Sequence, residues 1–365
     1  STYSGGTRVE GGTLQIGDGY AYGGISGNVT VSDGATLAFK RSDNIVYTDT
    51  ITGAGGVEQR GTGTLTLSAA NSYSGTTKIS DGFINFSSAD NLGTGSISLA
   101  GGGLQWASGN TADISPRLLP ISSGGALFDT NGNNVTFATG LSGSGSLTKA
   151  GTGTLSLSGA STYTGTTTVS AGTLQLGNGG TTGSLAGNII NNATLVWNRS
   201  DVASMAQTIS GTGALAKTGN GTLILAGANT YTGTTTISAG TLQLGNGGTT
   251  GSVVGNITNN AALAWNRTDA ATLSQVISGT GTFTKAGPGT LTLDGANTYT
   301  GGTTVSAGTL TATHANALGV NGALIVASGA TLNTSALADF TVGSLAGSGN
   351  LVAGGGIFAT TQSTD

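Results

Sequence analysis

The sequence predicts an all-β chain wound as a right-handed parallel β-helix, a β-solenoid with about 22–23 residues per turn and about 16 turns. Three observations carry that reading. A bland phrase recurs almost unchanged: STYTGTTTVSAGTLQLGNGGTTGS at 161–184 returns as NTYTGTTTISAGTLQLGNGGTTGS at 229–252. Its register markers Tyr3, Tyr73, Tyr163, Tyr231 and Tyr299 lie 70, 90, 68 and 68 residues apart. Three turns of about 23 residues fill the 68-residue spacing, and a fourth fills the spacing of 90. The apolar residues alternate, putting Leu174 and Leu176 on one face of a short strand and Thr173 and Gln175 on the other.

The chain is accordingly expected to be one β-helical segment, 1–365, of five successive blocks. Block 1–70 opens on STYSGGTRVEGGTLQIGDG, carries FKRSD from Phe39, and nears its end on GTGTLTLS at 61–68. Block 71–160 opens on NSYSGTTKISDGFINF, where Asp81, Phe83, Asn85 and Phe86 replace Ala, Thr, Gln and Leu and mark a candidate for a local role. The pattern breaks near 87–145, in WASGNTADISPRLLPISSGG at 106–125. That stretch is read as an extra turn with an irregular loop, where a specific surface can be added to a regular scaffold. Blocks 161–228 and 229–296 carry the phrase in full, with WNRSD at 197 and WNRTD at 265. Block 297–365 restarts it as NTYTGGTTVSAGTL. Leu, Ile and Val stack inward, while glycines and the pairs Asn191/Asn192 and Asn259/Asn260 make the corners. No segment holds a sustained helical periodicity.

Composition excludes several classes. Charged residues are 7% and the formal net charge is −4, so no basic face exists to neutralise phosphate and no nucleic-acid partner is expected. Hydrophobic residues at 36% with so little charge argue for packing over disorder. The 68 glycines follow no three-residue period, which excludes collagen. Without cysteine there is no disulfide framework and no thiolate metal site. No apolar run reaches the about 18 residues of a membrane-spanning helix. The pattern runs into both ends of the sequence, and the chain is expected to be a segment of something longer.

The phrase GTGTLSLSGASTYTGTTTVSAGTLQLG at 151–177, with its counterparts at 61–84, 219–245 and 287–310 and a partial one at 1–17, resembles the passenger-associated transport repeat. This is the autotransporter-associated β-strand repeat of Gram-negative autotransporter (type V secretion) passenger domains. With the intervening turns the resemblance covers nearly the whole chain. It implies a β-helical passenger exported through a C-terminal outer-membrane β-barrel and displayed at the cell surface.

Chemistry is scarce. A Ser-His-Asp triad needs a histidine, and His314 is alone in the chain. The 15 acids are scattered, against the clustered carboxylates that a glycoside hydrolase or lyase needs. GTGALAKT at 211–218 mimics a phosphate loop, but Ala216 stands where glycine must precede the lysine. No catalytic, cofactor or metal site is expected. The candidate ligand or self-association residues are Trp106 and Arg117 of the irregular stretch, with the pairs Arg199/Asp201 and Arg267/Asp269. Each pair is either a local salt bridge or a glycan-binding dyad. Trp197 and Trp265 fit the inward phase, whereas Trp106 is expected to be more open. Lys149, Lys217 and Lys285 are expected outside, three turns apart, blunting strand edges. Threonine rows recur too rarely for an ice-binding ladder.

Two functions compete. The first is a surface-displayed adhesin or structural stalk whose repeats support secretion and folding. Its partners are a host surface glycan or protein, or a second copy between cells, besides its own barrel. The second is the stalk of a secreted protease or esterase whose catalytic domain lies elsewhere.

Overall fold

A computed structural model of the chain describes residues 5–354 and 358–360. Tyr3 and the outermost residues of blocks 1–70 and 297–365 lie outside the described residues. The described residues are all-β, with parallel strands stacked as a β-solenoid of about 17 turns. They include two short 3-10 turns, Ala89–Leu92 and Ser115–Arg117, and no α-helix. The chain divides into two compact units, one of Ser1–Asn178 and Thr182–Ala193, the other of Gly179–Thr181 and Thr194–Asp365.

The strands follow from local sequence. In Thr222–Leu225 and Thr241–Leu244 the two leucines of each strand are buried and the residues between them are not. Each buried leucine contributes about 1.5–3 kcal/mol relative to exposure. The two strands pair in parallel, Leu223 beside Leu242 and Leu225 beside Leu244, so like stacks on like. Between them the chain turns at Gly240, with φ at +64°. A Cβ there would lie 2.3 Å from Gly221 O, so the corner admits only glycine.

The repeat is divided differently from the sequence arithmetic. In the second unit Leu215 pairs with Thr235, Thr235 with Ile257 and Ile257 with Ile277, steps of 20, 22 and 20 residues. The 68-residue counterpart of Leu215 is Phe283, six residues further on and in another ladder. Strand Thr282–Lys285 pairs with Ala262–Trp265 and Thr303–Val305. One repeat is therefore three turns plus one face. In the first unit, Gly56–Gln59 pairs with Thr36–Phe39 and Thr77–Ile79. The 90-residue counterpart of Val57 is Leu147, whose strand Leu147–Ala150 pairs with Ala126–Asp129 and Thr167–Val169. That ladder also holds Phe83–Phe86 and Gly103–Trp106. The 90-residue spacing is again a whole number of turns plus one face.

The marker residues of the phrase join neighbouring turns. Tyr73, Tyr163, Tyr231 and Tyr299 are fully buried, and each hydroxyl meets the threonine hydroxyl four residues on, at 2.5–2.7 Å. The residue two before each tyrosine reaches the turn below: Ile51 N donates to Asn71, Ile209 N to Asn229 and Ile277 N to Asn297. The Asn71, Asn229 and Asn297 amides donate onward to Asn91 O, Ser252 O and Ala317 O. Ser161 keeps the first role, accepting from Leu141 N at 3.1 Å. Asn191 and Asn259 are buried at corners, as expected.

Asn297→Ala leaves Ile277 N without its acceptor and is expected to lower stability by about 1–3 kcal/mol. Asn297→Ser, which copies Ser161, is expected to lose less. Urea unfolding of the two variants measures the difference.

Candidate binding surface

The irregular stretch is built around Trp106, which is fully buried. Its ring lies 5.1 Å from Phe86, 6.2 Å from Phe128 and 5.9 Å from Phe137, centroid to centroid. Its Nε1 donates to Ala112 O at 3.0 Å. This corrects the expectation of an open tryptophan. From Gly103 to Leu127 the ladder takes a 24-residue step, longer than the steps of the regular repeats, and the aromatic cluster packs the interior of that turn. Arg117 is half-buried and donates to Gly95 O, Ala89 O and Leu92 O, satisfying carbonyls at and beside the 3-10 turn Ala89–Leu92. Burial pulls its guanidinium below the ordinary value.

The Arg/Asp pairs are bidentate. Arg199 Nε and Nη2 meet the Asp201 carboxylate at 2.9 and 2.6 Å, and Arg267 meets Asp269 at 2.9 and 2.5 Å. Arg41 and Asp43 form a third copy. Hydrogen bonds from these arginines hold the three aspartates below the usual carboxylate range. Each arginine also clamps a loop, bonding Ala21 O and Gly23 O, Thr181 O, or Gly251 O. The guanidinium of Arg199 lies 5.1 Å from the Trp197 ring and that of Arg267 5.9 Å from Trp265, both tryptophans buried. The clamped loops share one pattern, G-x-G-x-x-x-G, at 17–23, 177–183 and 245–251, with positive φ at all three glycines. A Cβ on Gly251 would lie 2.2 Å from Gly245 N, so the loop closes on itself only with glycine there.

Lys149, Lys217 and Lys285 are not edge residues: all three are fully buried. Lys149 Nζ donates to Ala150 O, Gly151 O and, on the next turn, Ala171 O. Lys217 bonds Gly219 O and Ala239 O; Lys285 bonds Gly287 O and Ala307 O. They tie corner to corner. Lys217 and Lys285 also belong to different ladders, so they do not form the row their spacing suggested.

Other groups escaped sequence reasoning. Glu58, replaced by Thr148, Ala216 and Thr284 in the other copies, accepts from Arg60, Lys78 and Ser80 at 2.7–2.9 Å. Burial opposes its ionisation, but those donors outweigh it and hold the carboxyl below its ordinary value. It borders a groove of about 460 Å³ lined also by Thr36, Gly56, Thr76 and Leu119. Tyr20 and Tyr22 sit on the first clamped loop, 63% and 61% exposed. Their rings stack at 5.7 Å with planes 10° apart. Aligning the three loops would have singled them out, since the others carry Gly180/Thr182 and Gly248/Thr250. His314 is exposed, its Nδ1 accepting from Asn316 N. Among the described residues no three His, Cys, Asp or Glu side chains gather to hold a metal ion.

Five segments, 1–16, 57–85, 147–176, 215–244 and 283–312, match the passenger-associated-transport-repeat. The chain therefore carries five copies of this repeat and is similar over these segments to autotransporter passenger sequences. It is 39% identical over 230 residues to the adhesin BmaC autotransporter of Brucella suis biovar 1 (strain 1330). That match covers 62% of this chain and 6% of the relative, so the chain spans a small part of that protein's length. No solved structure matches it.

Two tests follow from the clamps. Arg267→Ala is expected to speed hydrogen exchange at Gly247 and Thr268 while leaving Leu263 protected. Burial pulls the Lys285 ammonium down to about 8. Between there and its ordinary 10.5 the unfolded chain binds more protons, so stability from this group rises with pH across that window. Lys285→Met is expected to flatten the rise, read by thermal unfolding on either side of it.

Proposed function

We propose that this chain is a non-enzymatic, adhesive stalk segment whose repeats also drive its own export. The observation that carries this reading is the set of bonds each turn makes to the turn beneath it. Asn71, Asn229 and Asn297 reach back to amides of the preceding turn, and the buried lysines reach forward to carbonyls of the next. A turn that emerges beyond the membrane completes its hydrogen bonds by docking on its neighbour. Each docking buries apolar area, which opposes backward movement without ATP.

The adhesive part is supported by the relative that bears the name adhesin and by the chemistry of the outside. Outward positions are mostly Thr, Ser, Asn and Gln, with 7% charge overall. Such a surface suits many weak contacts that add up through avidity. The partners are a host surface glycan or protein, with the barrel of the same polypeptide as export partner.

The test removes residues 229–296 from the full-length protein. The cut joins Ala228 to Asn297 and restores the GANTYTG phrase. Surface display is measured first, then adhesion per displayed molecule. Reduced display is expected, since one repeat of docking energy is lost. Unchanged export kinetics would overturn the secretion role, and adhesion no better than that of cells lacking the protein would overturn the adhesive one.

A further inference from the structure

We infer that the loop 17–24 is a saccharide-binding site in which Tyr20 and Tyr22 form the platform for a neutral hexopyranose. The proposal rests on the adhesive reading and gives it a location. Three copies of the loop share the glycine pattern and the arginine clamp, but only this one carries aromatic rings. The rings are exposed and have no core to join. Their exposure does not depend on a missing neighbour. Loop 245–251 lies between stacked turns, and its residues 248 and 250 are still exposed.

The geometry suits the C–H face of a pyranose. The near-parallel rings, 5.7 Å between centroids and both exposed, present apolar ring surface to solvent. Tyrosine supplies that area at a low entropic cost, with two side-chain torsions to fix. The loop beneath is held by Arg41 at Ala21 O and Gly23 O, and Gly19 N donates to Lys40 O at 2.8 Å. The platform is therefore preorganised. Hydroxyl partners surround it. Asp18 is exposed and lies 3.4 Å from the Tyr22 hydroxyl, and the Lys40 side chain runs beside Gly19. The charges cancel: Asp18 against Lys40, Asp43 against Arg41. That balance favours a neutral ligand over an anion or a basic peptide.

The test uses the soluble chain and albumin bearing many β-galactosyl groups, since the hydrogens on C3, C4 and C5 of galactose share one face. Albumin carrying an arginine-rich peptide is the comparator. Galactosyl-albumin is expected to bind, and Tyr20→Gly/Tyr22→Thr to weaken binding roughly tenfold or more. That variant copies residues 248 and 250, so it keeps a loop the chain already folds. Tyr20→Phe/Tyr22→Phe is expected to retain binding, because the ring faces carry the contact. No binding by the parent chain overturns the proposal, as does equal binding by the Gly/Thr variant or loss of binding in the Phe variant. Tyrosine-dependent capture of the arginine peptide in place of the sugar overturns it too. Whole-cell adhesion is measured in parallel. Adhesion that persists without any sugar binding overturns this site and leaves the adhesive reading standing. Sugar binding without cell adhesion does the reverse.

Discussion

The structure depends on what happens to backbone groups at the corners. Along its strands a parallel coil bonds to the turns above and below. Where the chain bends, amides and carbonyls fall out of line and still need partners. Glycine makes the bend but supplies no partner. Asn71, Asn229, Asn297 and the buried lysines do, each reaching one turn up or down. The phrase is bland because most of it only packs, and the residues that settle these corner bonds recur with few exchanges, Ser161 standing once for asparagine and Gln59 once for lysine.

The same constraint explains why residues that look like a site are taken up in internal bonds. Arg267 lies beside Trp265, holds Asp269 and closes a loop. On the same tryptophan Lys285 Nζ sits 4.7 Å from the ring centroid. The cluster resembles a site and works as a clamp. Trp106 likewise packs an interior turn. Two places where one copy departs from the others are the Tyr20/Tyr22 loop and the groove beside Glu58.

Much of the fold was legible because period-two alternation and glycine spacing act locally. Leu174/Leu176 and Leu242/Leu244 could point only one way. The lysines were misread because a cation at an inward position looks wrong until the corner carbonyls around it are known. One of those carbonyls for each lysine comes from the next turn, 22 residues away in sequence. A signal did exist: Trp197 to Lys217 and Trp265 to Lys285 are each 20 residues apart, one turn, and pair directly. Trp106 was misjudged because the irregular stretch has no second copy to set its phase. The length of the turn was misjudged because division by three assumed that a repeat ends on the face where it began.

That extra face has a genetic consequence. Blocks 161–228 and 229–296 are near-copies, so unequal recombination between them can add or remove 68 residues without disturbing a single corner. In the second unit such an event does more than change length. Every later residue of that unit moves along the stack by three turns and swings by one side of the coil. A lineage that gains or loses repeats therefore re-aims whatever its downstream loops display, and can change which side of the molecule faces a given surface with no point mutation at all.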